Sequence, residues 1–399
     1  MALMARVPRV LFVTGAYAPE FSAGGLQCRA IANAFEGRAT VSVLTTATTP
    51  SLPARETIDG VAVTRIQVEP GQATSVASTL AMMSALGDLL PASDLVHVQG
   101  VSSKNVLIRA MARLFKRPVI VHLQTARHDE PDSIRAGGRL AWWAVSTSDY
   151  FIAVSRGLMQ RYLDAGLPPD RIEEVPNGVD LDRFRVAAPG EKAVLRRQLG
   201  LPEDGPLVLF VGVISPDKRP HVLLNAWLAA EQRRPSGSLL VFVGASDPRL
   251  FELGDRLSEQ MQQTLAATGR GDRVRFVPPT PAIERYYRAA DVVVLPSMRE
   301  GLPNVVLEAM ASGLPVIASR LSGSTDTMIT DTVNGRLVEI DDLQEFATAL
   351  GEVLSDPATA ARMGAAARRT AEDRYRIGVV ADHWLRAYTS VLERHSHHA

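Results

Sequence analysis

The sequence predicts an α/β protein made of two Rossmann-like, doubly wound parallel-sheet domains that face a cleft. Short apolar runs rich in β-branched residues alternate with longer stretches in which apolar residues recur every three or four positions. This is the pattern of buried parallel strands joined by crossover helices. The alternation runs twice along the 399 residues, a length that suits two domains.

The predicted strands are apolar runs of three to six residues bounded by turn-forming residues. In chain order they are Arg9–Thr14, Thr40–Leu44, Val61–Ile66, Leu95–Val98, Val119–Leu123, Phe151–Val154, Leu207–Val211, Leu239–Val243, Val274–Val277, Val292–Leu295 and Val316–Ala318. Helical spacing of apolar residues predicts crossover helices within Ser102–Phe115, Arg219–Glu231 and Leu343–Leu354.

The domain boundary is expected within Phe184–Leu207, after a stretch punctuated by proline and glycine. We therefore expect an N-terminal domain over residues 1–184 and a C-terminal domain over residues 185–373. Trp384 and Tyr388 lie at helical spacing in the last segment. Residues 374–399 should form a helix that packs back across the domains, followed by a short tail.

Composition excludes several classes of function. Forty-three basic side chains balance 43 acidic ones, which argues against a nucleic-acid-binding protein. The single cysteine, Cys28, excludes a disulfide framework and thiolate-rich metal sites, and it fits a reducing cytoplasm. Residues 104–139 hold an excess of basic side chains. We interpret this as a solvated helix face, with weak contact to an anionic membrane surface as the alternative.

The sequence lacks the common short motifs of nucleotide-binding proteins, zinc proteases and serine hydrolases. No G-x-G-x-x-G follows a strand, and no G-x-x-x-x-G-K-S/T occurs, so neither the dinucleotide fingerprint nor the P-loop is present. H-E-x-x-H and G-x-S-x-G are absent as well. No D-x-D that would hold a metal against a diphosphate follows a strand.

The segment Leu295–Ser319, LPSMREGLPNVVLEAMASGLPVIAS, carries the strongest chemical signal. It predicts a strand, a loop, and a helix that begins near Asn304 as N-cap and ends near Ser312. The N-terminus of such a helix suits a phosphate. Glu300 and Glu308 lie on either side of it. Because carboxylates repel phosphate, these two side chains are better suited to accept hydrogen bonds from sugar or ribose hydroxyls.

This segment resembles glycosyltransferase family 4, the retaining nucleotide-sugar transferases with a GT-B fold. Glu300 and Glu308 match the E-x-seven-E motif of the family, and GLPNVVL and AMASGLPVIAS follow its pattern closely. FIAVSRGLMQRYLDAGLPPDRIEEVPNGVDLDRF and LFVGVISPDKRPHVLLNAW are similar to other family segments. Pro19 and Gly24-Gly25 after the first strand resemble its N-terminal glycine loop.

The resemblance implies a set of site residues. Glu300 and Lys218 would be catalytic, Glu300 contacting the donor sugar and Lys218 the diphosphate, while Glu308 would bind the ribose. The remaining donor-binding residues would be Gly24, Gly25, Gly212, Val277, Gly301, Leu302, Pro303, Asn304 and Val305.

Two positions depart from the family pattern. Val213 stands where the family commonly has arginine, so a diphosphate cation is missing or comes from Arg219 or Arg299. Gln124 stands where the family often has histidine. Gln124 and Arg219 are therefore candidate contacts to the donor sugar or the acceptor. The nearby His122 is expected in the core or behind the site.

The resemblance implies an enzyme: a retaining hexosyltransferase that needs no metal or other cofactor. It would move a sugar from a nucleoside-diphosphate donor, UDP or GDP first, to a glycan, lipid-linked or small-molecule acceptor in glycoconjugate synthesis. The expected place is the cytoplasm or the inner membrane face. A non-catalytic nucleotide-sugar-binding protein and a GT-B epimerase remain alternatives. The base, the sugar, the acceptor and the oligomeric state stay open.

Overall fold

The computed structural model of the chain divides it into two compact units. It describes residues 7–20, 22–69, 75–233, 236–244 and 251–398, with only the backbone at 23, 251–255 and 397–398. One unit runs to Gly178 and takes up the chain again from Ile377, and the other is Val179–Arg376. The boundaries predicted at 184/185 and 373/374 lie a few residues away from these.

The first unit contains a sheet of eight strands among the described residues, in the order β3-β4-β2-β1-β5-β6-β7-β8. All neighbours are parallel except β3 and β4. The strands are β1 (Arg9–Thr14), β2 (Thr40–Ala47), β3 (Arg55–Ile58), β4 (Val61–Gln67), β5 (Leu95–Gln99), β6 (Val119–Leu123), β7 (Tyr150–Ala153) and β8 (Ile172–Glu174). Its helices up to β8 are α1 (Ala23–Ala34), α2 (Val76–Leu89), α3 (Asn105–Leu114), α4 (Pro131–Ala136), α5 (Arg139–Ser146) and α6 (Arg156–Asp164).

The second unit has a parallel sheet of six strands among the described residues, in the order β11-β10-β9-β12-β13-β14. The strands are β9 (Leu207–Val211), β10 (Leu239–Val243), β11 (Val274–Val277), β12 (Val292–Leu295), β13 (Val316–Ser319) and β14 (Gly335–Val338). Its helices are α7 (Glu191–Gln198), α8 (Pro220–Arg233), α9 (Phe251–Thr268), α10 (Ile283–Ala289), α11 (Asn304–Ala311), α12 (Thr325–Met328), α13 (Leu343–Ser355) and α14 (Pro357–Arg374).

The last helix, α15 (Ile377–His398), belongs to the first unit. Val380, Trp384 and Tyr388 are buried in the same core cluster as Phe12 of β1. This apolar face accounts for the return of the chain to the first unit. The helix was predicted. The structure assigns it to a single unit.

Each sheet has a point at which the strand order reverses, between β1 and β5 in the first and between β9 and β12 in the second. Loops that follow the carboxyl ends of these strands are where doubly wound sheets bind ligands. The candidate residues are therefore expected at these two edges.

Among the helices of the described chain, none has the length and apolar character needed to cross a membrane.

Candidate functional site

Lys218 and Glu300 meet at the carboxyl edge of the second sheet. Lys218 follows β9 and Glu300 follows β12, two adjacent parallel strands. Their side chains form an ion pair, with Nζ of Lys218 2.5 Å from Oε1 of Glu300. Only 11% of the Glu300 side chain is exposed. The structure thus brings the two predicted catalytic groups together, and the ion pair fixes the position of both side chains.

The loops that carry this pair are joined by a second set of contacts. The amide of Met298 donates to the carbonyl of Asp217 at 2.8 Å, and Arg299 forms an ion pair with the Asp217 side chain. Both contacts involve a residue next to Lys218 or Glu300 in the chain. They fix the spacing of the two loops and leave the Arg299 side chain 39% exposed.

Helix α11 begins beside Glu300, with its N-terminus at the same edge of the sheet. Pro303 is the N-cap, and no side chain caps the helix. Asn304 is the first helical residue, so its predicted role as N-cap is wrong by one position. The reason is that Pro303 already has an extended backbone and fits the position before the first turn. Gly301 and Leu302, which precede the helix, are buried. A helix N-terminus is a position that suits an anion.

Glu308 lies one turn inside α11 and contacts Tyr287 of α10. The Tyr287 hydroxyl donates to Oε2 of Glu308 at 2.7 Å. Burial raises the pKa of Glu308 to about 7, while the Tyr287 hydrogen bond acts in the opposite direction. A carboxyl group with this pKa is partly protonated near neutral pH. In its ionised form it can accept a hydrogen bond from a hydroxyl, and in its protonated form it can donate one.

Two glycines bring backbone close together at the ends of β9 and β10. Gly212 has φ of +149°, and its amide donates to the carbonyl of Val243 at 3.0 Å. A Cβ on Gly244 would lie 3.1 Å from the Gly212 carbonyl oxygen, tighter than an ordinary contact. Gly244 was not among the predicted residues. Its place directly after an apolar strand was the available signal.

The predicted base-side residue, Val277, ends the edge strand β11. Its carbonyl accepts from the Gly244 amide at 2.9 Å, and the side chain is partly exposed. Val277 therefore lies at the same edge of the sheet as Gly212, on the β11 side of it.

Arg219 is held by residues that follow β14. Its guanidinium donates to the Ile340 carbonyl and, at 2.8 Å, to Oδ1 of Asp341. Only 14% of its side chain is exposed. Arg299 is the more exposed of the two predicted replacements for the cation missing at Val213.

In the first unit, Gly24 and Gly25 occupy the first turn of α1, so the predicted glycine loop is helical here. Ser22 caps the helix by accepting from the Gly25 amide at 3.0 Å. A Cβ on Gly25 would lie 2.1 Å from the carbonyl oxygen of Ala16. The chain's own backbone therefore requires glycine at this position, which was predicted to allow approach of a diphosphate.

Gln124 lies against Gly24 at the carboxyl end of β6. A Cβ on Gly24 would be 3.0 Å from Oε1 of Gln124. Nε2 of Gln124 donates to Oε1 of Gln99, which lies 3.0 Å from Nδ1 of His122. His122 is fully buried, as expected, and burial lowers its pKa to about 3. A neutral histidine and Gln99 thus position the Gln124 amide.

Asp129 fixes the loop that follows Gln124. Its carboxylate accepts from the amides of Val101, Gln124 and Thr125 at 2.8–2.9 Å. Burial raises the pKa of Asp129, and the amide hydrogen bonds act against that rise. Asp129 was not predicted because its role is set by folding of the loop.

Across the described residues, His, Cys, Asp and Glu side chains form no group of three or more that could hold a metal.

Family models match both halves of the chain. One is described as glycosyl transferases group 1 and covers residues 191–370, and the other as glycosyl transferase 4-like domain and covers residues 22–178. Among curated proteins, the D-inositol 3-phosphate glycosyltransferase of Thermobispora bispora is 35% identical over 285 residues, 69% of this chain and 63% of that protein. Its namesake from Nocardia farcinica is 39% identical over 213 residues, 53% of this chain and 45% of that protein. The chain spans about half the length of the curated relatives it matches.

Two solved structures show the same fold. HepE of Anabaena in complex with UDP has a TM-score of 0.78 and 21% identity, covering 96% of this chain and all of that one (100%). Sucrose-phosphate synthase from Thermosynechococcus elongatus has a TM-score of 0.78 and 22% identity, covering 97% and 100%. With both halves matched by family models and glycosyltransferases as its relatives, the chain belongs to the group 1 glycosyl transferases of family 4 and has their GT-B fold.

Proposed function

We propose that the chain is a retaining glycosyltransferase that moves a sugar from a nucleoside-diphosphate donor to an acceptor hydroxyl. The observation that carries this proposal is the Lys218–Glu300 pair beside the uncapped N-terminus of α11. A cation and a helix N-terminus favour a diphosphate, and a carboxylate beside them favours the hydroxyls of an attached sugar.

The proposed donor contacts follow from this placement. The diphosphate would lie against Lys218 and the amides of residues 301–305, where Gly212 leaves the backbone accessible. Glu300 would accept from a sugar hydroxyl, Glu308 from the ribose, and Val277 would lie beside the base. UDP is the first donor nucleotide to test, and GDP the second. HepE, which shares the fold, was solved with UDP and with UDP-glucose.

In the proposed reaction, the bond between the anomeric carbon and the diphosphate oxygen breaks as the acceptor oxygen attacks from the same face. Negative charge then grows on the leaving phosphate, where Lys218 and the α11 amides stabilise it. The acceptor proton passes to the departing phosphate. Arg299 is the candidate for the second cation because it is exposed next to Glu300. We expect no metal to be needed.

The acceptor is proposed to bind at the carboxyl edge of the first sheet, where Gly24 and Gln124 meet. The relatives are named D-inositol 3-phosphate glycosyltransferases, which supports a polyol or sugar acceptor with a hydroxyl as nucleophile. Gln124 offers an amide where the family often has histidine, so its contact with donor or acceptor would differ in chemistry from that of an imidazole.

Donor hydrolysis without acceptor tests the proposal. Wild-type protein should release free sugar and UDP from UDP-glucose, or the corresponding products from a GDP-sugar. Lys218→Ala should lower the rate about a hundredfold, because one group that stabilises charge on the leaving phosphate is worth about 3 kcal/mol. Glu300→Ala should lower the rate as well, because the donor sugar loses a hydrogen-bond acceptor and Lys218 loses its ion-pair partner. Glu203→Ala, at the exposed surface before β9, is the control. Intact rates in both site variants would refute the assignment. Binding of donor without any release of sugar would favour a non-catalytic nucleotide-sugar-binding protein.

A further inference from the structure

Lysine is rare in this chain, which has 39 arginines and four lysines. Lys192 pairs with Asp291 and Lys218 pairs with Glu300, and Lys116 is exposed at the surface. Lys104 differs from these three. It is partly buried, and it follows β5, at the point where the strand order of the first sheet reverses.

The Lys104 ammonium has one polar contact within the described part of the chain. Its Nζ donates to Oγ1 of Thr46 at 3.2 Å, and Thr46 in turn donates to the Gly15 carbonyl at 2.5 Å. No described carboxylate lies at ion-pairing distance from Nζ. Burial lowers the pKa of Lys104, as expected for an ammonium that has lost water without gaining an anion.

Two acidic side chains at this edge of the sheet already have partners: Asp129 accepts from three loop amides, as described above, and Glu20 is held in a similar way. Oε1 of Glu20 accepts from the amides of Thr48 and Thr49, both at 2.8 Å, and from the Thr48 hydroxyl at 2.9 Å. These hydrogen bonds hold Glu20 to the loop after β2 and, against the effect of burial, lower its pKa. Lys104 is thus left as a cation facing a neutral hydroxyl.

The position of this cation indicates what it is for. Gly15 follows β1, Thr46 lies near the end of β2, and Lys104 follows β5. These three adjacent strands end together at the edge where a doubly wound sheet binds its ligand. A partly desolvated ammonium is stabilised when an anion replaces its lost water. Lysine acts as a compact point charge that suits a phosphate or carboxylate.

We propose that Lys104 binds an anionic group, a phosphate monoester or a carboxylate, on the acceptor. This inference rests on the proposed function and deepens it by naming the chemical class of acceptor. Lys104 belongs to the first unit, whereas Lys218 belongs to the second. A charged acceptor would therefore be recognised by its anion at Lys104 and would present a hydroxyl for transfer.

Binding of matched charged and neutral polyols tests this site. Calorimetric titrations of the full chain with excess UDP would compare inositol 3-phosphate with inositol, glucose 6-phosphate with glucose, and glucuronate with glucose. Wild-type protein should bind at least one charged member about tenfold or more tightly than its neutral partner. Lys104→Met should remove this preference. Lys116→Met, an exposed lysine of the same unit, should retain it.

The phosphate and carboxylate pairs separate the two anion classes. A preference for the charged member that survives in Lys104→Met would overturn the inference, and so would a wild-type protein that shows no preference in any pair. Donor hydrolysis by wild-type protein is measured separately. If the wild-type protein does not hydrolyse the donor, the result counts against the proposed function. If it hydrolyses the donor but binds charged and neutral acceptors equally well, the result counts against the role of Lys104 alone.

Discussion

At the scale of single residues, the acidic side chains of the candidate site contact partners that come from other elements. Glu300 and Glu308 were predicted because their spacing and the intervening letters match a family motif. Tyr287, which donates to Glu308, comes from another helix, and nothing in its local pattern marks it. The pairing of Lys218 with Glu300 likewise depends on β9 and β12 being adjacent. That adjacency is a property of the strand order, which the local sequence does not specify.

The pKa of Glu308 leads to a prediction about stability. Its value of about 7 in the folded chain lies above the ordinary 4.5. The folded state therefore holds the proton more tightly, and the resulting stabilisation is complete below pH 4.5 and lost as pH rises through 7. Glu308→Gln cannot lose a proton. Relative to wild type, its free energy of unfolding should rise by on the order of 2 kcal/mol between pH 4.5 and pH 8.

Urea unfolding at the two pH values measures this difference, and Tyr287→Phe provides a second variant. Removing the Tyr287 hydroxyl takes away a hydrogen bond that lowers the Glu308 pKa. The loss of stability should then occur at higher pH than in wild type. Identical pH dependence of wild type and Glu308→Gln would contradict a raised pKa at this position.

At the scale of elements, apolar runs located most strands, and the missed ones share a physical reason. β3 and β8 are short and rich in charged residues, and β14 contains glycine and arginine. Their positions are stabilised by pairing with an existing sheet, so the local sequence carries little signal for them. The start of α11 was displaced by one residue because a proline can itself serve as the N-cap.

Helix α1 allows a paired test of why its glycines are needed. In Gly25→Ala the new Cβ would lie 2.1 Å from the Ala16 carbonyl oxygen, so backbone must move. In Gly24→Ala the nearest atom, at 3.0 Å, is the end of the flexible Gln124 side chain. We expect Gly25→Ala to destabilise the protein by about 2 kcal/mol or more. Gly24→Ala should change stability little, because alanine favours a helix over glycine by about 1 kcal/mol, which offsets the close contact with Gln124.

Thermal unfolding of both variants checks this expectation. The midpoint of Gly25→Ala should fall by several degrees more than that of Gly24→Ala. Equal midpoints would mean that the first turn of α1 can shift without strain. The close contact with Ala16 would then not explain why position 25 is glycine.

At the scale of the whole molecule, the sequence predicted two α/β units and a final helix. Which unit the helix joins could not be deduced from its own residues. An apolar stripe at helical spacing indicates only that some core covers it. The residues that α15 packs against determine which unit it joins. The centroid of the Trp384 ring lies 4.4 Å from that of His97 and 5.9 Å from that of Phe12. Both partners are hundreds of residues earlier in the chain.

The role of α15 can be tested by one core and one surface substitution. Trp384 is 1% exposed, so Trp384→Ala should destabilise the first unit by about 3–5 kcal/mol through loss of buried contacts and the cavity left behind. Val379→Ala, on the same helix with 37% exposure, should change stability by less than about 0.5 kcal/mol. Hydrogen exchange resolves the two units. In Trp384→Ala, amides of β1, β5 and β6 should exchange faster, while those of β9 and β12 keep their wild-type rates. Faster exchange in β9 and β12 to the same extent would show that α15 stabilises both units rather than the first alone.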